Sequence, residues 1–205
     1  NVTAKMNETA DALYNSGWFR GRPELSLDSN DSGGAILRVV VQENPRYTGV
    51  RLTGNTIYTT ERLVQEIEGA PGAEGAGAML QKGEVINAKK LVAALDRILA
   101  VYHAGGYVGA SYQDWSYRLV PPDEGLVEII LTEGVVEEII VTGNDKTKQT
   151  VIDSQITHMQ PGKVLTRYDL EQDVNDIYNT GLFEAVNPEL EPSLVEGQVK
   201  VVISV

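Results

Sequence analysis

The sequence predicts an α+β protein made of tandem repeats, in which each complete repeat runs strand, helix, helix, strand, strand. Two observations lead to this fold class. A helix-ending motif of Tyr, a polar residue, a small residue, Gly, any residue and an aromatic one occurs three times in loose form. Each copy is followed by segments with the composition of β-strands. Three strands and two helices make one two-layer sandwich per repeat.

The repeated motif is a helix stop. The apolar stripe of a helix ends at the Tyr, and a Gly three residues later can adopt the left-handed conformation that closes the helix. The aromatic residue then begins the next element. Chance recurrence of a common cap is the alternative interpretation, but three ordered copies favour a true repeat. The motif residues are Tyr14, Gly17 and Phe19, then Tyr102, Gly105 and Tyr107, then Tyr178, Gly181 and Phe183.

Composition narrows the classes of function. The chain has 205 residues, mean hydropathy of -0.17 and a formal net charge of -12. An acidic surface repels nucleic acid and anionic lipid, so we expect no nucleic-acid partner. The absence of cysteine excludes disulfides, thiolate metal sites and cysteine nucleophiles. The sequence opens without Met inside a predicted helix, and we expect it to be a piece of a longer protein.

The first predicted unit, residues 1–46, contains a helix and two strands. An amphipathic helix reaches to about residue 19, with Val2, Met6, Ala10 and Leu13 on its apolar face. A strand at 24–27 follows. The next strand, 35–42, is almost continuously apolar, which predicts a central position in its sheet. The linker at 44–49 is expected to act as a hinge.

The second predicted unit, residues 47–134, is complete. It has a strand at 50–52, a helix from about Thr60, a flexible Gly/Ala insert at 70–79 and a long helix that Asn87 caps. Strands at 108–115 and 126–131 end it. The short linker around Gly134 predicts a rigid connection to the next unit.

The third predicted unit, residues 135–205, repeats this order. Residues 160–166 match residues 81–87 position by position, and Thr166 takes the place of the cap Asn87. Strands are predicted at 136–141, 184–190 and 199–205. The turns after the first strands of units two and three are predicted to need positive φ at Gly54 and Asn55 and at Gly143 and Asn144.

No residue pattern predicts catalysis. His103 follows the Tyr at a helix end, which favours a capping or solvated position, and His158 has no acidic residue spaced for a metal site. Glu137 and Glu138 alternate in a strand, which predicts solvated charges on opposite faces. The Gly-rich insert has no Gly-Lys-Ser/Thr to hold phosphate. We therefore predict no enzyme, no cofactor and no metal.

The ordered set of motifs resembles the POTRA (polypeptide-transport-associated) domain. The motifs are Val-x-x-x-Gly-Asn after the first strand, Gly-x-Val/Leu before the second helix, and Tyr-x-x-Gly-x-aromatic after it. The resemblance covers the second half of one domain (1–46) and two whole ones (47–134 and 135–205), each a three-stranded mixed sheet on two helices. The first unit departs from the family pattern because its opening strand and helix are absent from this sequence.

The resemblance implies a function in the outer membrane. It points to the periplasmic, chaperone-like arm of a BamA-type assembly factor, and three units suit a cyanobacterial or plastid member. The implied partners are unfolded β-barrel precursors, accessory assembly proteins and the protein's own C-terminal membrane β-barrel. The alternatives are the arm of a polypeptide transporter, in two-partner secretion or chloroplast outer-envelope import, and a structural spacer.

The strand after each motif aromatic is the sheet edge in POTRA-like domains. An unpaired edge can accept an extended peptide through backbone hydrogen bonds, which ignore side-chain identity. A blunted edge is the alternative, and Pro188 favours it in the third unit. The predicted peptide-binding residues are Glu24, Leu25, Ser26 and Leu27 in unit one, Val108, Ala110, Tyr112 and Trp115 in unit two, and Glu184, Ala185 and Val186 in unit three.

Overall fold

The computed structural model describes residues 2–29, 33–69, 79–112, 117–119, 125–195 and 197–205. Five helices and eight strands are assigned within these ranges. In chain order they are α1 (Val2–Asn15), β1 (Glu24–Ser29), β2 (Ala35–Val40), β3 (Gly49–Thr53), α2 (Thr60–Glu68), α3 (Ala88–Ala104), β4 (Tyr117–Leu119), β5 (Leu126–Ile130), β6 (Val135–Thr142), α4 (Gln149–Asp153), α5 (Arg167–Asn179), β7 (Asn187–Pro192) and β8 (Gln198–Ser204).

The strands form three separate sheets. Sheet 1 has the order β1-β2, sheet 2 the order β3-β5-β4 and sheet 3 the order β6-β8-β7. In sheet 3, β6 runs parallel to β8 and β7 runs antiparallel to it, so the sheet is mixed. The predicted α+β class and the order strand, helix, helix, strand, strand are confirmed for the second and third repeats. In both, the last strand lies in the middle of its sheet.

The described residues fall into two compact units. The first comprises Asn1–Arg51, Val64–Arg97 and Arg118–Glu128, and the second comprises Leu52–Leu63, Ile98–Tyr117 and Ile129–Val205. This division runs through the second repeat, so the boundaries 1–46, 47–134 and 135–205 stay a prediction.

The core of the third repeat shows how the sequence pattern produces packing. Every second residue of β8 is buried, as period-two alternation requires for a strand with one covered face. The buried members of this core are Val136, Ile152, Met159, Leu165, Ile177, Val199, Val201 and Ile203. Helix α5 contributes Ile177, and the turn before it contributes Leu165. Helices α4 and α5 therefore cover one face of sheet 3.

The predicted central position of the second strand is wrong. β2 pairs with β1 as its one described neighbour, and all six of its residues are exposed. Ile36 and Val40 are each more than half exposed. The reason is tertiary, because a continuous apolar run is buried only where a strand has neighbours on both sides and helices above it, as β8 has.

Two predicted edge strands begin later than expected. In the second repeat the strand is β4, and residues 108–112 form a turn and a single bridge from Ser111 to Thr132. Gly109 lies against the backbone of Gly134, which leaves no room for a neighbouring strand there. In the third repeat β7 begins at Asn187, so Glu184, Ala185 and Val186 precede it. Trp115 and residues 70–78 of the predicted insert lie outside the described residues.

Helix length bears on membrane crossing. Among the described helices, none combines the length and the apolar character that a bilayer span requires.

Candidate strand-binding edges and the joints between repeats

The three helix-end turns have the same geometry, in which a glycine with positive φ closes the helix. In the middle turn this glycine is not the one that the sequence predicts. Gly17, Gly106 and Gly181 take positive φ values of 84°, 87° and 69°. Gly105, the predicted third-position glycine, is not among the positive-φ residues. Helix α3 continues through Ala104, one residue further past the Tyr than α1 and α5 do. The middle motif is therefore shifted by one position relative to the other two.

The shift places the motif tyrosines in different environments. Tyr102 is 1% exposed, whereas Tyr14 and Tyr178 are 48% and 53% exposed. The structural equivalent of Tyr102 is Ile177, which is completely buried. A second glycine in the middle motif permits this shift, because Gly106 closes the longer helix. The sequence places Tyr178 at the end of the apolar stripe of its helix and so predicts an inward position, which is wrong, because its phenol ring is exposed to solvent.

A buried carboxylate holds the end of the second repeat together. Glu133 is 5% exposed, and its Oε1 accepts hydrogen bonds from the backbone amides of Thr56 and Ile57 at 2.7 and 2.9 Å. The same oxygen accepts from the Tyr102 hydroxyl at 2.8 Å. Tyr58 meets Tyr102 edge to face, with ring centroids 5.0 Å apart. Glu133 thus ties the turn after β3, helix α3 and the linker into one network.

Electrostatics in this network favours the ionised carboxylate. Burial by itself would raise the pKa of Glu133, but the hydrogen bonds from Ile57, Thr56 and Tyr102 outweigh it and lower that pKa. The pKa of Tyr102 is raised, first by burial and then by its hydrogen bond to Glu133. The pair therefore remains a neutral donor and a charged acceptor at neutral pH. No sequence pattern marked Glu133, since it follows a strand as an ordinary polar residue.

The first joint between repeats centres on Gly17. Its carbonyl accepts hydrogen bonds from the Ala88 amide at 2.8 Å and from Nδ2 of Asn44 at 2.9 Å. Nδ2 of Asn44 also donates to the Ile86 carbonyl at 2.9 Å. The cap residue Asn87 reaches across as well, because its Nδ2 donates to the Ser16 carbonyl at 3.0 Å. The end of α1 is thereby fastened to the start of α3.

The second joint repeats the main contact of the first. The Gly106 carbonyl accepts a hydrogen bond from the Arg167 amide at 2.7 Å, just as Gly17 accepts from Ala88. Ala88 and Arg167 are the first residues of α3 and α5. A Cβ on Gly134 would lie 2.3 Å from the Gly109 carbonyl carbon, so the two backbones touch. Each joint therefore sets the amide end of one helix on the carbonyl end of another.

The linker at 44–49 does not have the structure expected of a hinge. Pro45 accepts a hydrogen bond from the Ile86 amide at 2.9 Å, and the Tyr47 amide donates to Glu84 at 2.8 Å. Tyr47 is 1% exposed, and its hydroxyl donates to Glu68 at 2.8 Å. Burial and that hydrogen bond raise the pKa of Tyr47. The length of the linker predicted a flexible hinge, but hydrogen bonds to residues distant in the sequence hold the linker in place.

The turns after β3 and β6 confirm the predicted glycines and revise the asparagines. Gly54 and Gly143 have positive φ, whereas no described residue other than glycine does. A Cβ on Gly54 would lie 2.0 Å from the Leu131 carbonyl oxygen. The asparagines act through their side chains, since Asn55 donates to the Tyr58 carbonyl at 3.0 Å and Asn144 to the Thr147 carbonyl at 3.2 Å.

Histidine 158 has acidic neighbours that sequence spacing did not reveal. Oxygen and nitrogen ligand atoms of His158, Asp173 and Asp176 lie within 4.8 Å of one another. Asp173 is completely buried and accepts from the backbone amides of Thr157, His158 and Met159 at 2.7–3.2 Å. Its carboxylate anchors the loop before α5. The sequence did contain a signal for the burial of Asp173, because this acid lies three residues after Leu170, within the apolar stripe of the helix.

Histidine 103 lies near the helix end, as predicted. Its Nε2 is 3.2 Å from the Ala110 carbonyl oxygen, and the side chain is exposed.

The two acids of β6 do not point to opposite faces of the strand, as the sequence predicts. A bulge between Val136 and Glu138 brings both Glu137 and Glu138 to the ammonium of Lys200. The hydrogen bond to Glu138 is the main cause of the raised pKa of Lys200.

β1 is an outer strand of sheet 1, and β7 is an outer strand of sheet 3. All six residues of β7 are exposed, and in β1 the one partly buried residue is Leu25. The predicted residues Glu24, Leu25, Ser26 and Leu27 lie in β1. In the second repeat Ala110 is 5% exposed and Val108 packs on the core of the third repeat, so neither forms part of an open edge.

Comparison with known proteins finds a family match for the third repeat and a distant relative of most of the chain. Residues 135–205 match the family described as "POTRA: Surface antigen variable number repeat". A protein of Treponema pallidum (strain Nichols), provisionally described as an outer membrane protein assembly factor, is 24% identical over 170 residues. That alignment covers 82% of this chain and 19% of the relative, so the chain spans about a fifth of its length.

Solved structures match almost the whole chain. POTRA domains 1–3 of the periplasmic domain of Omp85 from Anabaena align with a TM-score of 0.66 and 22% identity, covering 98% of this chain and 80% of that one. CdiB from Escherichia coli aligns with a TM-score of 0.55 and 21% identity, covering 99% and 33%. This chain therefore has the tandem POTRA fold seen in these structures, and its residues 135–205 match the POTRA family.

Proposed function

We propose that this chain is the periplasmic arm of an outer-membrane protein assembly factor. In this proposal it binds unfolded β-barrel precursors by strand addition, receives accessory proteins, and passes the precursors to a membrane β-barrel of the same protein. The proposed domains are 1–46, 47–134 and 135–205. The description of the Treponema relative as an outer membrane protein assembly factor supports the proposal.

The observation that carries the mechanism is the exposure of the outer strands. β1 and β7 lie at the edges of their sheets and are exposed along nearly their whole length. Backbone groups on such an edge bind an extended chain whatever its side chains are, at about 0.5–1.5 kcal/mol for each hydrogen bond. A carrier of many different precursors requires this kind of recognition.

Titration of the isotope-labelled chain with a peptide that spans one strand pair of an outer-membrane β-barrel tests the proposal. We expect amide shifts at edge strands, with weaker shifts for a control peptide of the same sequence whose alternate backbone amides are N-methylated and cannot donate hydrogen bonds. Binding that leaves every described edge amide unchanged would rule out strand addition. Absence of binding would rule out the carrier function and leave the transporter arm, whose passenger would then be the next probe.

A further inference from the structure

The two exposed outer strands differ in the hydrogen-bond donors that they can offer. In an antiparallel ladder, the N–H and C=O of one residue point to the same side, and successive residues alternate sides. Pro188 and Pro192 lie in the ladder between β7 and β8. Since proline has no N–H to donate to β8, both residues must direct their nitrogen outward.

This geometry blunts the outer edge of β7. The outward residues are every second one, namely Pro188, Leu190 and Pro192. Leu190 is the one member of this set that carries an N–H. An added strand could therefore use three carbonyl acceptors but a single donor on β7. Proline on an outer strand is a known protection against unwanted strand pairing.

The outer edge of β1 has no such protection. β1 has six residues, as β7 has, and contains no proline. Three of its residues face outward, so the edge presents three N–H and three C=O groups. Glu24 through Ser29 pair with Val40 through Ala35 without a break in register. Six backbone hydrogen bonds are thus available on β1, compared with four on β7.

Among the other described edges, that of β6 is partly occupied and that of β4 is shorter. On β6, the start of the outer side is bound by the loop before α5, where Val136 donates to Lys163 at 2.8 Å and Gly162 donates to Val136 at 2.8 Å. A bulge follows at Glu138. β4 has three residues. The far side of β2 is also an open edge. β2 is apolar on both faces, with Ile36 and Val40 on one and Leu37 and Val39 on the other, so a partner in which apolar and polar residues alternate matches β1 better.

The side chains on the two faces of sheet 1 indicate what kind of strand can pair with β1. Leu25 lies opposite Val39 and Leu27 lies opposite Leu37, so these four share one face. Leu27, Leu37 and Val39 are 45%, 51% and 40% exposed. On the other face β1 carries Glu24, Ser26 and Asp28, and Asp28 forms an ion pair with Arg38 at 3.3 Å, while β2 adds Ile36 and Val40. A strand added to β1 extends an apolar row on one face and a polar row on the other.

We propose that β1 is the strand-accepting edge of this chain, and that it takes extended segments in which apolar and polar residues alternate, whereas the prolines exclude such segments from β7. This inference rests on the proposed function and assigns it to one edge. Strands of outer-membrane β-barrels have this alternation. The partner is therefore a single amphipathic β-strand of an unfolded barrel precursor.

A pair of reciprocal variants tests the assignment in the whole chain. The probe is a neutral ten-residue peptide alternating valine and threonine, and its control has the same residues in two blocks. Amide hydrogen exchange is measured residue by residue with and without peptide. We expect new protection on alternate residues of β1. Leu27→Lys should weaken binding by roughly tenfold, while the matched edge variant Leu190→Lys leaves affinity unchanged.

The double variant Pro188→Val, Pro192→Val should open the second edge and add peptide-dependent protection in β7. Protection at β7 of the unmodified chain, or equal binding by Leu27→Lys, would overturn the assignment to β1 while strand addition itself survives. Failure of the alternating peptide to protect any described edge, including β7 of the double variant, would instead overturn both this inference and the proposed strand-addition mechanism.

Discussion

At the scale of single residues, the buried acid Glu133 is the most consequential side chain. Its carboxylate receives two backbone amides, the Thr56 hydroxyl and the Tyr102 hydroxyl. These groups belong to the β3 turn and to α3, and Glu133 itself precedes the linker glycine. One carboxylate therefore accepts the hydrogen bonds that hold the end of the second repeat together.

Replacing this acid should destabilise the protein in a pH-dependent way. Glu133→Gln leaves buried donors without a charged acceptor, which costs about 1–3 kcal/mol at pH 7. Because the folded-state pKa of Glu133 is lowered, its contribution is complete above the unfolded-state pKa and disappears as pH falls through the folded value. We therefore expect the stability difference between the two proteins to shrink as the solution is acidified below about pH 4.

Urea unfolding measured across this pH range checks the prediction. The control is Glu189→Gln on exposed β7, which should change stability by less than about 0.5 kcal/mol at every pH. A Glu133→Gln deficit that stays constant down to pH 3 would contradict the assigned role of the ionised carboxylate.

At the scale of elements, the helix ends decide how the repeats align. α3 has 17 residues and α5 has 13, which is a difference of one helical turn. The extra residue past the Tyr in α3 turns Tyr102 inward, and the equivalent position in α5 is Ile177. The same sequence motif thus ends three helices, but its tyrosine is a core residue in one repeat and a surface residue in the other two.

Replacing Tyr102 or Tyr178 with alanine should distinguish the buried environment of the first from the exposed environment of the second. Tyr102→Ala removes a buried aromatic ring and its hydrogen bond to Glu133, which we expect to cost about 3–5 kcal/mol. Tyr178→Ala removes a ring that is 53% exposed and should cost less than about 1 kcal/mol. Chemical denaturation of both variants measures the difference. Similar costs for the two would refute the shifted alignment.

At the scale of the whole molecule, consecutive repeats use one kind of joint. A helix-end glycine carbonyl accepts the first amide of the next repeat's second helix, at Gly17 and again at Gly106. The first joint adds two asparagine side chains, Asn44 and Asn87. The second joint adds contact between the backbones of Gly109 and Gly134. Small repeats with modest cores gain stability from such neighbours.

Removing the Asn44 side chain should loosen the first joint. Asn44→Ala deletes the hydrogen bonds to Gly17 and Ile86 but leaves the cap residue Asn87 intact. We expect amide exchange in α1, β1 and β2 to speed up roughly five- to tenfold, in line with about 1–1.5 kcal/mol. Exchange in β8 should not change. Uniform acceleration across all three sheets, or none in α1, would show that Asn44 is not a joint residue.

Sequence by itself determined the repeat order and the turn chemistry. Helix stops at glycines, caps at Asn87 and Thr166, and period-two strands are local properties, because they depend on neighbouring residues along the chain. Gly54 and Gly143 followed from the same reasoning. The resemblance to POTRA domains rested on these local motifs in order, and the fold confirms it.

Tertiary structure decided what depends on distant partners. It buried Glu133 and Asp173, whose acceptor roles require amides brought from elsewhere in the chain. It exposed β2 despite an apolar sequence, since burial needs covering elements. It tied down the linker at Tyr47, and it displaced the second edge strand because Gly109 meets Gly134. Local pattern specifies a residue's conformation, but burial and hydrogen-bond partners come from packing between segments remote in sequence.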